Sequence, residues 1–322
     1  MVKTWVIVND ETKKWINYLQ LTQYTDKQHL LEVSTLFQQK YILHILSMMT
    51  IFALVACQQQ GQQENEPIEP EQTRYEVEPP EINMEDRHLY LAGGSERDVR
   101  EPNPVSNNIL QQQYPDTLVL RGDNTINRVA LTFDDGPDER FTPQILDVLD
   151  KHNVKATFFM MGSRAKEHSG IVRRIHQSGH AIGNHTYWHP NLPKEALDRL
   201  HWELTETEEV LANIIGFQPR LFRSPYGALN EEMMDMLTEL DFTVVGWDVD
   251  SLDWKQEGPD VIQDNVLSNV GFGSIILMHD GGDWTMDLSG TAEALDEIIT
   301  KLKEDGTEFV TIPEMFGIPE AK

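Results

Sequence analysis

The sequence predicts an α/β fold, a distorted (β/α)7-type barrel with a parallel strand core, preceded by a signal segment and a disordered tether. Three observations carry this. From Arg128 onward, short apolar runs alternate with stretches of helical period about seven times, a pattern that implies a parallel sheet with helices outside it. Polar motifs follow directly after the apolar runs, where a (β/α) barrel gathers its site, at the C-terminal strand ends. Before Arg128 that alternation is missing and the composition changes.

The elements follow in order. The apolar run 129–133 reads as a strand ending in an Asp-Gly-Pro turn. A helix over 142–151 carries Pro143 where a first-turn proline belongs. Strand 156–160 precedes a helix over 171–176, and 180–183 is a weak strand. A long amphipathic helix is expected over 193–215, then a brief strand at 221–222 and a helix over 231–240. Strand 243–247, helix 259–270, strand 274–278, helix 291–303 and strand 308–312 complete the series. The barrel domain is expected at 128–318, after an extension at 86–127 in which 114–121 forms a short packed segment.

Among 322 residues, 53 are acidic and 26 basic, for a net charge of −27. Such a balance argues against nucleic acid as a partner, which calls for Lys and Arg. It says nothing of substrate, since net charge bears on solubility and association. The single cysteine, Cys57, excludes an internal disulfide. It ends an apolar run at 41–57 that follows Lys40, too short for the ~20 residues of a spanning helix and closing in small residues as an export signal does. Leu54-Val-Ala-Cys57 resembles the bacterial lipobox, so 1–56 is expected to be a signal segment and Cys57 a lipidated mature N-terminus. Residues before Lys40 are polar and carry acids, unlike a lipoprotein signal, so initiation is expected near 36–40. The Gln-, Glu- and Pro-rich stretch 57–85 reads as a disordered tether.

Five motifs carry the chemistry: TFDDGP at 132–137, HTYWH at 185–189, RSPYG at 223–227, DSLDW at 250–254 and LMH at 277–279. His185 and His189 at i, i+4 would share one face of a helical turn, close enough for one metal ion. Pro190 limits that helix to a single turn at a strand end. Two surface histidines in a loop would give the same spacing. The adjacent Asp134 and Asp135 weigh against that, because two carboxylates at a strand end repel unless a cation stands between them. His, His and Asp with an open position make a catalytic divalent site, most naturally zinc. Arg223 has the planar donors to hold a carboxylate in a bidentate pair, and Gly227 allows close backbone approach to a ligand. His279 follows an apolar strand, with Asp253 its candidate partner. Trp254 suits either core or the wall of a sugar site.

In this ordered combination, 128–316 resembles the polysaccharide deacetylase family, the NodB-homology domain of carbohydrate esterase family 4. The resemblance implies Asp134 as general base and Asp135, His185 and His189 as ligands of a divalent metal, zinc or else cobalt. It implies Arg223 tuning the base, Tyr226 donating a backbone N–H to an oxyanion, Asp253 tuning the general acid His279, and Trp254 and Leu277 lining the substrate pocket. No motif position departs from the family pattern. The implied reaction is hydrolysis of N-acetyl groups on a polysaccharide's amino sugars. Peptidoglycan is the leading substrate for an enzyme anchored outside a bacterial membrane, and chitin-like oligomers come next. A monomer is expected. Two alternatives stand beside this reading: an O-acetyl esterase of the xylan type, and a glycan-binding lipoprotein without turnover.

Overall fold

The computed structural model describes residues 107–322. The expected signal segment 1–56, the tether 57–85 with Cys57, and 86–106 of the extension lie outside the described residues. The longest strand, β2 (Arg128–Gly136), shows how the fold is built. Its alternate residues serve two environments, as a strand's period of two requires. Val129, Leu131 and Phe133 face the apolar layer shared with the surrounding helices. Ala130 faces a second cluster with Phe159, Leu221, Val245 and Ile275, and Thr132 and Asp134 continue that inner face toward the strand's end.

The other strands are β1 (Leu118–Val119), β3 (Thr157–Met160), β4 (Ala181–Asn184), β5 (Leu221–Phe222), β6 (Thr243–Val245), β7 (Val249–Asp250), β8 (Ile275–His279) and β9 (Glu308–Phe309). They form one parallel sheet in the order β1-β6-β5-β4-β3-β2-β8-β7, with β9 also paired to β2. Hydrogen bonding leaves this path open, yet β6 and β7, near opposite ends of it, are joined by only 246–248. Four residue steps span at most about 14 Å, so the sheet curls until its ends nearly meet. That is the expected distorted barrel.

Helices α1 (Asn107–Gln113), α2 (Thr142–His152), α3 (Gly162–Glu167), α4 (Ser169–Gln177), α5 (Leu197–Ile215), α6 (Glu231–Glu239), α7 (Pro259–Leu267), α8 (Ser289–Glu304) and α9 (Ile312–Phe316) complete the described part. The packed segment expected at 114–121 supplies β1 at the sheet edge, with Leu118 and Leu120 buried.

Most expected elements differ at an end; helix 259–270, for example, stops at Leu267, and strand 129–133 runs on to Gly136. Strand 243–247 breaks after Val245, where the Val245 and Gly246 carbonyls accept from the Arg223 guanidinium instead of a neighbouring strand. Strand 308–312 ends at Phe309, because Thr311 and Glu314 form a reciprocal capping box that starts α9 at Ile312. Helix 193–215 begins at Leu197, after a separate 3-10 turn at Leu192–Lys194 that takes in Pro193.

Candidate active site

Asp134 and Asp135 cannot both face the barrel interior in a regular strand, since neighbours point to opposite sides. The structure resolves this with a backbone irregularity. Asp135 has φ 71, and the pairing of β2 with β3 shifts register between Asp134 and Gly136. A left-handed conformation is costly for a residue with a Cβ, and such strain persists where the surroundings hold it. Here it turns the second carboxylate back toward the first.

What holds it is Arg164 of α3, fully buried. Its Nη1 donates to the Asp135 carbonyl at 2.6 Å and its Nη2 to the Gly282 carbonyl at 2.5 Å. Gly281 packs against the same peptide, where a Cβ would lie 2.4 Å from the Asp135 oxygen.

Asp135 Oδ1 stands 3.2 Å from His185 Nε2 and 3.1 Å from His189 Nε2. All three residues are buried, and one ligand atom from each lies within 4.8 Å of the others. Asp135 Oδ1 and His189 Nε2 satisfy no hydrogen bond despite their burial, which fits atoms that converge on a cation. The His185 Nδ1–H donates to the Arg223 carbonyl at 2.7 Å, which leaves the Nε2 lone pair for a metal. His189 Nδ1 is 3.0 Å from the Tyr226 hydroxyl. Burial opposes charge on His185, but the Asp134 and Asp135 carboxylates outweigh it and raise its pKa. The carboxylates thus draw positive charge to this point, and a divalent ion would supply it.

The backbone around the two histidines is not the helical turn that the i, i+4 spacing suggested. Thr186 and His189 both have positive φ, 64 and 59, and 185–191 form a loop after β4. The ligands converge because that loop folds back. Two groups unsuspected from the sequence hold it. Glu203 of α5, fully buried, accepts from the backbone N–H of Tyr187 at 2.6 Å and of Trp188 at 2.8 Å. Asn184 Oδ1 accepts from Thr186 N at 2.9 Å. An acidic residue on the inner side of an amphipathic helix was the available signal for Glu203.

Asp134 Oδ1 accepts from Arg223 Nη1 at 2.8 Å. The contact is single rather than bidentate, because the other donors are engaged elsewhere. Arg223 Nε bonds the Val245 carbonyl at 3.0 Å and Nη2 the Gly246 carbonyl at 3.1 Å, while Nη1 also reaches Thr132 Oγ1 at 2.8 Å. Its guanidinium lies over the Phe159 ring, 4.2 Å from the centroid. Phe159 has room there because Gly183 has no side chain; a Cβ would meet the ring at 2.5 Å.

Across β2, Asp134 is the register partner of His279, and Thr132 of Leu277. His279 Nδ1 is 2.7 Å from Asp253 Oδ1. Asp253 Oδ2 accepts from His279 N at 2.8 Å and from Thr291 Oγ1 at 2.9 Å. Burial would raise the Asp253 carboxyl, but His279 outweighs it and holds the group below the usual carboxylate range. Leu277 is buried in β8, two residues before His279 on the same face. Trp254 is nearly covered, in a small cluster with Phe141, Met286 and Leu288. Tyr226 has φ 60 and turns the chain between Pro225 and Gly227.

A buried Asp-His-His cluster flanked by a second carboxylate and an Asp-supported histidine, at the C-terminal end of a parallel barrel, defines a metal-dependent hydrolase. Residues 121–245 match the model of the polysaccharide deacetylase family. The chain is 50% identical over 190 residues to a peptidoglycan-N-acetylglucosamine deacetylase of Bacillus cereus, covering 58% of this chain and 68% of that one. It is 35% identical over 214 residues to the peptidoglycan-N-acetylmuramic acid deacetylase PdaC of Bacillus subtilis, covering 65% of this chain but 44% of that one. It superposes on the crystal structure of the Bc1960 peptidoglycan N-acetylglucosamine deacetylase in complex with a naphthyl N-hydroxybenzamide, with a TM-score of 0.64 and 44% identity, over 66% of this chain and 99% of that one. The chain belongs to the polysaccharide deacetylase family, and it is a deacetylase of the carbohydrate esterase family 4 type.

Proposed function

We propose that the protein removes N-acetyl groups from the amino sugars of peptidoglycan, with N-acetylglucosamine the first choice and chitin-like oligomers next. One observation carries this: Asp134 and His279, two proton-transfer groups, sit side by side on β2 and β8 next to the Asp135–His185–His189 cluster. The names of the Bacillus cereus and Bc1960 relatives support the choice of polymer, and that of PdaC makes N-acetylmuramic acid the competing sugar.

Asp135, His185 and His189 would hold a divalent ion, zinc in our reading, with cobalt a substitute. Such an ion supplies Lewis acidity to the acetamide carbonyl and acidity to water. The rest is assigned to the chain. Asp134, oriented by Arg223, takes a proton from the attacking water. The Tyr226 backbone N–H meets the negative charge that develops on the carbonyl oxygen. His279, oriented by Asp253, gives a proton to the departing nitrogen. Leu277 and Trp254 border the acetyl and sugar pocket. The carbon–nitrogen bond breaks, the water oxygen stays on the acetyl carbon, and acetate and a free amine leave. Acetate release from peptidoglycan and chitooligosaccharides, with mass spectrometry of the muropeptides, tests this. Acetate from xylan alone would replace it with the esterase reading.

We further propose the organisation read from the sequence: signal 1–56, tether 57–85, extension 86–127 and catalytic domain 128–318. Among the described residues, no helix is long and apolar enough to cross a membrane. Attachment is assigned to lipid on Cys57, which would hold a monomer at the outer face of the membrane, within reach of the cell wall. A lipoprotein's diacylglycerol brings two chains, enough for stable anchoring where one acyl chain is marginal. Membrane fractionation and lipid labelling of wild type and Cys57→Ala test this.

A further inference from the structure

Among the described residues, five large hydrophobic side chains are exposed: Ile109, Ile126, Val261, Phe272 and Trp284. Phe272 and Ile126 precede β8 and β2, at the end of the barrel away from the site. Trp284 follows β8, on the loop that leaves His279, and is 55% exposed. A single exposed hydrophobic is ordinary by itself; Trp284 is set apart by its place on the loop that leaves His279 and by the bonds that fix its backbone.

Its backbone is fixed with unusual thoroughness. Trp284 is at the tip of a turn closed by Met286 N to Asp283 O at 2.9 Å. The loop wraps the Arg140 guanidinium, whose Nη1 donates to the Trp284 carbonyl at 3.3 Å and the Met286 carbonyl at 3.2 Å. Arg140 is itself locked on Asp138, fully buried, by Nη2 at 2.7 Å and Nε at 3.0 Å. On one side of the tip, Gly282 is bonded to the same Arg164 that holds the Asp135 carbonyl. On the other, Met286 packs with Trp254 and Phe141. Two residues of chain span at most about 7 Å, so the Trp284 backbone lies one short step from a peptide tied to a metal-ligand residue.

We propose that Trp284 is a sugar-stacking platform for the polymer, which binds a pyranose ring next to the unit being deacetylated. This deepens, and rests on, the polysaccharide reading above. A pyranose with equatorial linkages presents C–H bonds on its faces, which pack on the electron-rich face of an indole. Because its backbone is already held, little backbone order is lost on binding. The platform favours long chains over short ones, since a disaccharide centred on the metal leaves it uncovered.

The test compares wild type, Trp284→Ala and Trp284→Phe on N-acetylglucosamine dimer and pentamer. It measures acetate release and, by calorimetry, binding. The expected result is a fall of about fivefold in the pentamer-to-dimer ratio of kcat/KM for Trp284→Ala, through KM. Trp284→Phe should keep most of the ratio, and thermal unfolding should confirm that both variants fold. An unchanged ratio together with unchanged pentamer affinity in folded Trp284→Ala would overturn the platform. Wild type that binds pentamer through Trp284 yet releases acetate neither from it nor from peptidoglycan would overturn the deacetylase reading and leave the platform standing. Wild type that binds no oligomer would overturn both.

Discussion

Asp134 and His279 are register partners on adjacent parallel strands, each held by a buried group of opposite character, Arg223 at 2.8 Å and Asp253 at 2.7 Å. In the mechanism proposed above, Asp134 is the proton acceptor and His279 the proton donor. Because both sit on strands, their separation is set by sheet geometry and not by a mobile loop.

In the proposed mechanism the bulge at Asp135 divides labour between neighbouring aspartates. Asp134→Asn should retain metal and lose 10²-fold to 10⁴-fold in kcat, roughly the contribution of a general base. Asp135→Asn should lower metal content itself. Metal analysis of the two purified variants, set beside their turnover, decides; equal metal in both would refute the division.

Glu203 bonds the loop between the two histidine ligands, so it should matter without touching metal or substrate. Glu203→Ala should weaken metal affinity by about tenfold or more, the scale for groups that orient ligands. Glu203→Gln, which keeps an acceptor oxygen, should recover part of it. Competition with a chelating dye gives the affinities, and an Ala variant that matches wild type would remove Glu203 from the account.

Removing the Asp253 charge should move the alkaline limb of the kcat/KM profile to lower pH, because the nearby carboxylate favours the protonated imidazole of His279. The depressed Asp253 carboxyl is the other side of the same coupling. A pH series on Asp253→Asn checks this, and an unmoved alkaline limb would mean the two groups are uncoupled.

Burial, with help from Lys155, pushes His180 down from 6.5 to about 4. Its Nδ1 accepts from the Ala156 N–H at 3.1 Å. The folded protein therefore keeps this ring neutral while the unfolded chain takes up a proton. Its contribution to stability is present above pH 6.5 and declines as pH falls from there toward about 4. His180→Gln, which still offers an acceptor, should flatten that part of the stability profile, as read from urea midpoints across the window.

Much of the site was legible because its residues sit at strand ends, and strand ends are visible as apolar runs followed by polar motifs. Asp134, Arg223 and His279 were found that way. The geometry of the metal ligands was not. Spacing of i, i+4 suggested a helical turn between His185 and His189, whereas two residues of positive φ shape the loop. Arg164 was also missed, because its partners are the Asp135 and Gly282 carbonyls, distant in sequence, which no local pattern encodes. Strand β7 was missed. The expected run 243–247 stops short of Val249, and only the fold shows a separate two-residue strand there, paired with β8 while β6 pairs with β5.

The central claim is that Asp135, His185 and His189 hold the metal on which deacetylation depends. Acetate release from an N-acetylglucosamine oligomer should be measured on chelator-treated enzyme, with and without added zinc, beside His189→Ala. Activity should vanish on chelation, return with zinc at about one ion per chain, and stay absent in the variant. Full turnover by metal-free protein, or by His189→Ala without added metal, would contradict the claim.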